Sequence, residues 1–478
     1  MKRCLFFLFA LTLLPLFSTA QTLEEAKKLF FDNKFTEAKP IFATLVKKAP
    51  RNASYNHWYG VCLYKTGETE SAIKYLTFAA SKKVQEAPRY LGDAFFDLYR
   101  FEEAANQYDT YLEKQKEEQT ASIYSNKAEI ARNAAGMVNR VADVQIIDSV
   151  VVSKNKLFAH YKERTLDQNI HLLSDYFETG EGYDNACMFI NSRETSRIFP
   201  ASQSGKGLDF MRQEKLSDSW GERKVLPKEV NSEADENYPF ILSDGLTIYF
   251  GSKGHNSIGG YDIFVTRYNA ENGNYYAAEN LGMPFNSTAN DYLYAIDEVH
   301  NIGWFVTDRN QEPEKSVIYT FIRDENRQNV QDKTPEEKIA LAQIRSIRAT
   351  WKKPDYKPFL EDIYTEKRAL HEAYKEKKSQ EFHFYINENT VYTRLENFKS
   401  LDARSYYQQY VEKQKQVEEL EAKLSTWRTL YAKETKTGKE ELKSKILSLE
   451  KEYESIATLP YQLQNKCRSA ELSQLKQK

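Results

Sequence analysis

The spacing of apolar positions along the chain changes twice. From residue 22 to about 138, apolar and small residues recur at helical spacing. Near Val144 the period shortens to two, and short alternating runs continue to about residue 323. A polar stretch, Arg323 to Thr334, follows, and helical spacing then returns. The pattern predicts a multidomain α and β protein. It has a helical block at 21–140, a strand block at 142–323, a linker and helix at 324–350, and a helical block at 351–478.

The first helical block repeats. Ala38, Ala72 and Ala104 lie 34 and 32 residues apart, and Phe42, Leu76 and Tyr108 keep the same spacing. Ala26, Gly60 and Gly92 keep it too. Small residues are needed where paired helices approach closely, and the large residue fills the hole between neighbouring pairs. Pro50 ends the second helix of the first unit, and a helix over Ser122 to Val138 is expected to cap the stack. These positions resemble the tetratricopeptide repeat over residues 22–115, as about three units of an α-helical solenoid. The usual early Trp is displaced, since Trp58 lies two residues before Gly60. The resemblance implies a groove that binds a peptide or protein. A stack that docks only on its own neighbours is the plainer alternative.

The strand block repeats as well. Asn231-Ser232, Tyr249-Phe250 and Ile263-Phe264 recur as Asn286-Ser287, Trp304-Phe305 and Ile318-Tyr319, each 55 residues on. Strands are predicted at Tyr238–Leu242, Leu246–Phe250 and Tyr261–Arg267, with Ser243-Asp244-Gly245 as a hairpin turn. In the later copy, Asp297 to Asn301 replaces that turn. A third copy lies upstream: Ile198-Phe199 is 51 residues before Tyr249-Phe250, and Asp209-Phe210-Met211 is 53 before Asp262-Ile263-Phe264. Further short strands are predicted at 144–147, 150–152 and 156–159. The run NSEADENYPFILSDGLTIYFGSKG, followed by GGYDIF and ENLGMPFNS, resembles the WD40-like β-propeller repeats of TolB-type proteins. That resemblance implies a small propeller of three to four blades. Closed propellers typically have about 4–8 blades. The ring is therefore small, or is completed by strands within 144–178 or by a segment from elsewhere.

In the last block, Val417, Leu420, Leu424, Trp427 and Tyr431 form one apolar stripe, and Leu442, Ile446, Leu449, Tyr453 and Ile456 form another. With Thr437-Gly438 between them, they predict an antiparallel helical hairpin with a coiled-coil seam over 403–457. Phe382 to Ile386 and Thr390 to Thr393, flanking Asn387-Glu388-Asn389, predict a β-hairpin over 381–394. A lone hairpin is marginal in water, so it should dock on another element.

Charge and chemistry narrow the function. The formal net charge is −2, with no strongly basic domain, which argues against nucleic acid as a partner. Lys2-Arg3, the apolar run Leu5–Phe17 and Ser18-Thr19-Ala20 read as an export signal cut near Ala20. The run is too short to span a bilayer, so peripheral membrane association is expected rather than insertion. Three cysteines, Cys62, Cys187 and Cys467, then remain, too scattered for a disulfide framework. No nucleophile elbow is found, the 203–207 run lacks the residues of a phosphate loop, and the histidines do not pair at metal spacing. Catalytic, cofactor and metal sites are all expected to be absent. Glu233, Asp235, Glu236 and Asp291 invite a calcium reading, against which they are taken to cap backbone N–H groups at blade corners. Asp148-Ser149-Val150 resembles a short glycosylation acceptor of Bacteroidetes envelope proteins.

The order of modules resembles Bacteroidetes envelope proteins associated with type IX secretion and gliding, though the tail is a helical hairpin where many of those carry an OmpA-like domain. The resemblance implies a periplasmic or outer-membrane-associated scaffold that binds other envelope proteins. Two alternatives accompany it: an accessory component of a secretion machine, and a glycan- or peptidoglycan-binding protein using the aromatics Tyr261, Tyr292 and Trp304.

Overall fold

Helices α1 (Leu23–Phe31), α2 (Phe35–Lys48), α3 (Ala53–Lys65), α4 (Thr69–Ser81), α5 (Ala87–Asp97), α6 (Phe101–Leu112) and α7 (Glu118–Asn139) follow one another with short turns. The computed structural model describes residues 22–177, 183, 185–202, 207–216, 219–324, 326–378, 383–387, 390–433 and 436–476. The export-signal residues, most of the 203–207 run and parts of the expected 381–394 hairpin therefore lie outside the described residues. The chain forms two compact units that divide between Arg140 and Val141.

In the first unit each helix packs on the next. Thr22 and Asn52 cap α1 and α3 by accepting from the backbone N–H three residues on. The repeating small residues sit where helices touch. A methyl group at Gly60 would lie 2.8 Å from Leu76 Cγ, and one at Gly92 would lie 2.6 Å from Tyr108 Cε1. Each small residue thus faces the large residue of the second helix of its own pair. Ala26, Ala38, Ala72 and Ala104 are fully buried.

The second unit begins with β1 (Ile146–Ser153), α8 (Leu157–Thr165) and β2 (Ile170–Leu172). Strands predicted at 144–147 and 150–152 are one strand, and the strand predicted at 156–159 is the start of α8. Leu157 and Tyr161 explain the difference: both are buried, one helical turn apart on one face. Then come β3 (Cys187–Ile190), β4 (Ser196–Ser202), β5 (Leu208–Glu214), β6 (Lys224–Val225), β7 (Glu236–Ile241), β8 (Thr247–Ser252), β9 (Asp262–Asn269), β10 (Asn274–Tyr275), β11 (Glu279–Asn280), β12 (Asp291–Asp297), β13 (Ile302–Thr307) and β14 (Lys315–Ile322).

These strands make three antiparallel sheets. Their orders are β2-β3-β4-β5-β6, then β10-β9-β8-β7 with β11 also on β9, then β1-β14-β13-β12. The first strand of the region therefore pairs with the last, from Ile146↔Phe321 to Ser153↔Lys315. Both strands within 144–178 are used: β1 in the third sheet and β2 in the first.

The sequence repeats superpose in register. Phe189↔Ile198, Phe240↔Tyr249 and Ala295↔Trp304 are the matched pairs of the three sheets. Asn231 and Asn286 make equivalent bonds in two of the copies. The Asn286 amide accepts from Ile263 N at 2.7 Å and donates to Ile263 O at 2.8 Å. Asn231 makes the same two bonds to Phe210, at 2.8 and 3.2 Å. Each buried amide clips the connection leaving one sheet back onto a strand of that sheet, β5 for Asn231 and β9 for Asn286. Tyr238 and Leu293 hold left-handed backbone (φ 59° and 50°) at matched positions, inside register shifts of β7 and β12. Gly245 takes φ 68° in the predicted hairpin turn, and Asp244 Oδ1 accepts from Leu246 N and Thr247 N, both at 2.8 Å. In the later copy Asp297 caps Val299 N and His300 N, and Asn301 takes the positive φ.

Helices α9 (Pro335–Ala342), α10 (Lys357–Lys378), α11 (Leu401–Lys433), α12 (Lys436–Ile456) and α13 (Leu459–Leu475) and the hairpin β15 (Phe384–Asn387)–β16 (Thr390–Tyr392) complete the unit. The sequence separates 142–323, 324–350 and 351–478, whereas the packing joins them. The linker runs beside the start of the strand region, with Ala142 bridged to Asn329. Trp351 Nε1 donates to Ile146 O at 2.8 Å. Buried Arg468 of α13 donates to Ser174 O, Asp175 O and Tyr385 O, tying the tail to the edge of the first sheet and to β15. Such long-range polar ties leave no periodic trace in the sequence. The β-hairpin docks on α13, where Glu471 accepts from Tyr392 O–H at 2.7 Å.

Arg428–Glu450 and Tyr453–Glu421 contacts make α11 and α12 an antiparallel hairpin, with Val417, Leu420 and Leu424 buried. Thr437 and Gly438 lie in the first turn of α12 rather than between the helices.

Candidate functional site

The ends of β3, β7 and β12 surround a cavity of about 940 Å³. Phe189 and Ile190, Phe240 and Ile241, and Ala295 and Ile296 come to it from the three sheets, while the α8–β2 connection and Lys367 of α10 close part of its rim. The three sheets supply these residues because they repeat in register. The connection, the turn after β12 and α10 supply the polar groups that do not repeat.

Those polar groups form a fixed arrangement. Lys367 Nζ donates to Asp297 Oδ2 at 2.6 Å and lies 5.0 Å from the centre of the Trp304 ring. His300 Nδ1 is 2.8 Å from the same oxygen. Although burial opposes ionisation of Asp297, the bonds from Lys367 and His300 outweigh it and hold its pKa below the usual carboxylate range. Burial raises the Asp167 carboxyl instead. Asp167 Oδ1 accepts from Asn169 N at 2.7 Å, whereas its buried Oδ2 has no hydrogen-bond partner.

The aromatics singled out from sequence do not form an exposed platform. Trp304 is 1% exposed and Tyr292 6% exposed, and both belong to the core. Tyr261 is half-buried and meets Tyr238, which in turn meets Tyr292, at centroid distances of 5.4 and 5.0 Å. Of the three, Trp304 alone borders the cavity, and its Nε1–H donates to the Tyr364 hydroxyl oxygen at 3.4 Å.

Three of the four acidic residues cap backbone, while Glu233 is exposed. Glu236 accepts from Ser232 N at 2.9 Å, Asp291 from Ser287 N at 2.7 Å, and Asp235 from Leu208 N at 3.0 Å. Asp291 also takes Arg309 Nη2 at 2.7 Å in a pair buried on both sides. Asp262 accepts from Ile258 N and from the Asn280 amide, and burial together with nearby Asp291 pushes its pKa up to about 7. Among the described residues there is no group of three or more His, Cys, Asp or Glu placed to hold a metal ion. Ser149 is exposed on β1, beside an Asp148–Arg164 ion pair of 2.6 Å.

Sequence reasoning missed Asp167, Asp297, His300 and Lys367. They come from three elements with no common motif, so only the tertiary fold brings them together.

The helical unit carries its own polar cluster across α3, α5, α6 and α7. Asp93 accepts from Tyr108 O–H at 2.9 Å and from Lys127 Nζ at 2.8 Å. His57 is buried, and desolvation, with Arg89 second, lowers its pKa to about 4. Half-buried Tyr90 on α5 lies 5.8 Å from the His57 ring, and half-buried Tyr55 on α3 meets Trp58.

Comparison with known families places a class on this unit alone. Residues 23–87 match the tetratricopeptide repeat, which makes this region a helical-repeat module of a kind that binds proteins. No curated protein and no solved structure matches the chain. Among the described residues, no helix is long and apolar enough to cross a membrane.

Proposed function

We propose that the protein is an exported, non-catalytic scaffold of the cell envelope that holds a protein partner on its helical repeats. The observation that carries the partner-binding part of this reading is the tetratricopeptide match over residues 23–87, continued by further helices to Asn139; export rests on the sequence of residues 2–20. The three sheets act as blades of a small TolB-like propeller that presents a second surface. Their matched registers and the β1–β14 pairing support that assignment. The carboxylates tied up by backbone N–H groups support a role without turnover.

Export is tested by N-terminal sequencing of protein purified from its native host. A mature chain starting at Gln21 supports the reading, and a chain retaining Met1 in the membrane pellet overturns it. The non-catalytic reading is tested by screening glycan and peptide substrates. Turnover that Asp262→Asn abolishes would overturn it.

A further inference from the structure

The α11–α12 hairpin covers its apolar seam incompletely. Val417, Leu420 and Leu424 are buried nearer its base. Further out, Trp427, Leu442, Ile446 and Leu449 are only half-buried, and Leu430 is 50% exposed. Two helices alone cannot enclose the seam between them, whereas four helices packed as a bundle can.

The hairpin is also charged lengthwise. Residues 423–445, its outer half, hold seven Lys and Arg against three Glu, a net charge of +4. Residues 418–422 and 446–456, its inner half, hold six Glu against one Lys, a net charge of −5. The Arg428–Glu450 pair, at 2.6 Å, ties one member of each set together across the two helices. Around α11, Glu419, Lys423 and Leu430 lie roughly 140–180° from Arg428, and around α12, Lys445 and Glu452 lie as far from Glu450. These five therefore share the hairpin face opposite that ion pair. Glu419, Lys423, Lys445 and Glu452 are all exposed.

We propose that this face is a contact between two copies of the chain, packed antiparallel as a four-helix bundle. A twofold contact uses the same patch on both copies, so the patch must be its own complement. This one is: turned end for end, each copy lays its basic outer half on the acidic inner half of the other, and Leu430 and the open seam are covered. A parallel pair would set like charges together along its whole length. The 21 residues of α12 run about 30 Å, and two helices side by side are about 20 Å wide. Two such faces bury roughly 1,200 Å² in total, the lower end for a specific interface. The dimer is therefore weak and sensitive to salt. It uses a surface apart from the helical repeats, so it stands or falls independently of their protein partner.

The test is sedimentation equilibrium of the full chain. At low salt a reversible monomer–dimer equilibrium with Kd of about 1–100 μM is expected, weakening at least tenfold between about 50 and 500 mM salt. Lys423→Glu/Lys445→Glu makes the face acidic throughout, and Glu419→Lys/Glu452→Lys makes it basic throughout. Each double variant should dimerise at least tenfold more weakly than wild type at an unchanged melting midpoint, and the two mixed should pair with each other. If either variant is unstable, carbodiimide cross-linking of isotope-mixed wild type takes its place, with intermolecular links expected from Lys423 or Lys445 to Glu419 or Glu452. The proposal is overturned if wild type stays monomeric over that range, if either folded variant dimerises as wild type does, if the mixed variants fail to pair, or if the intermolecular links lie only elsewhere.

Discussion

The helical unit and the three sheets both repeat, but different physics enforces the repetition. In the helices the rule is size. Gly60 and Gly92 are small because Leu76 and Tyr108 press against them. In the sheets the rule is hydrogen bonding. Asn231 and Asn286 recur because each satisfies both backbone groups of one strand residue. A size rule tolerates drift, and the helical period is 34 and then 32 residues. A polar clip fixes register, and the two best sheet copies align with no gap. Breaking one contact of each kind should therefore have unequal consequences.

The largest effect is expected from Asn286→Ala. It leaves the N–H of Ile263 without its acceptor inside the unit, while Ile263 O keeps Leu281 N and Asn280 keeps Gly282 N and Asp262. One unsatisfied buried group costs about 1–3 kcal/mol, and the lost bonds to Ile263 O and Asn280 add to it, so the total should reach ~3 kcal/mol. Hydrogen exchange should show lost protection in β9 and β12 while α1–α7 keep theirs. Protection unchanged in β9 would refute the clip.

Gly92→Leu comes next. Overpacking against Tyr108 should cost about 1–3 kcal/mol, read as faster exchange in α5 and α6 with the sheets unaffected. A melting midpoint equal to wild type would remove the size rule.

The two units should also respond oppositely to pH through one buried group each. The folded pKa of Asp262, about 7, lies above its usual value because of burial and Asp291. The folded state then binds the extra proton, and this group's contribution falls as pH rises from about 4 to 7, by up to ~1.4 kcal/mol per unit. The folded pKa of His57, about 4, lies below its usual value because of burial and Arg89. Its contribution is present above about 6.5 and is lost as pH falls toward 4. Asp262→Asn should flatten the first trend and His57→Gln the second, each followed by chemical denaturation across that range. Variants that leave both slopes as in wild type would contradict the assignments.

The smallest effect is expected at Gly245. Its φ of 68° resists a β-branched side chain, but the position is open to solvent, so Gly245→Val should cost only ~1 kcal/mol or somewhat more. A Gly245→Asn variant, which tolerates that backbone, should recover most of the loss.

The same contrast explains what the sequence could disclose. Small–large alternation and the Asn-Ser repeat are visible as spacing, so the helical stack, the Asp244-Gly245 turn and the strand registers were legible. Strand burial was not. All six residues of β13 are buried, so alternation along the strand could not reveal that Trp304 is core. The start of α8 carries apolar residues that also suit a strand, and its helical burial emerges only in packing. The cavity was least legible. Asp167, Asp297 and Lys367 are 130 and 70 residues apart in sequence, and no local pattern links a strand end to a helix that arrives so much later.

The account rests most on the helical unit as a partner-binding surface. Its most direct test is quantitative co-purification from the native envelope, comparing wild type with the double variant Tyr55→Ala/Tyr90→Ala, whose side chains are half-buried on α3 and α5. The account predicts a stoichiometric protein partner with wild type and at least tenfold less with the variant, at equal melting midpoints. A partner retained in full by the folded variant, or no stoichiometric partner with wild type, would contradict it.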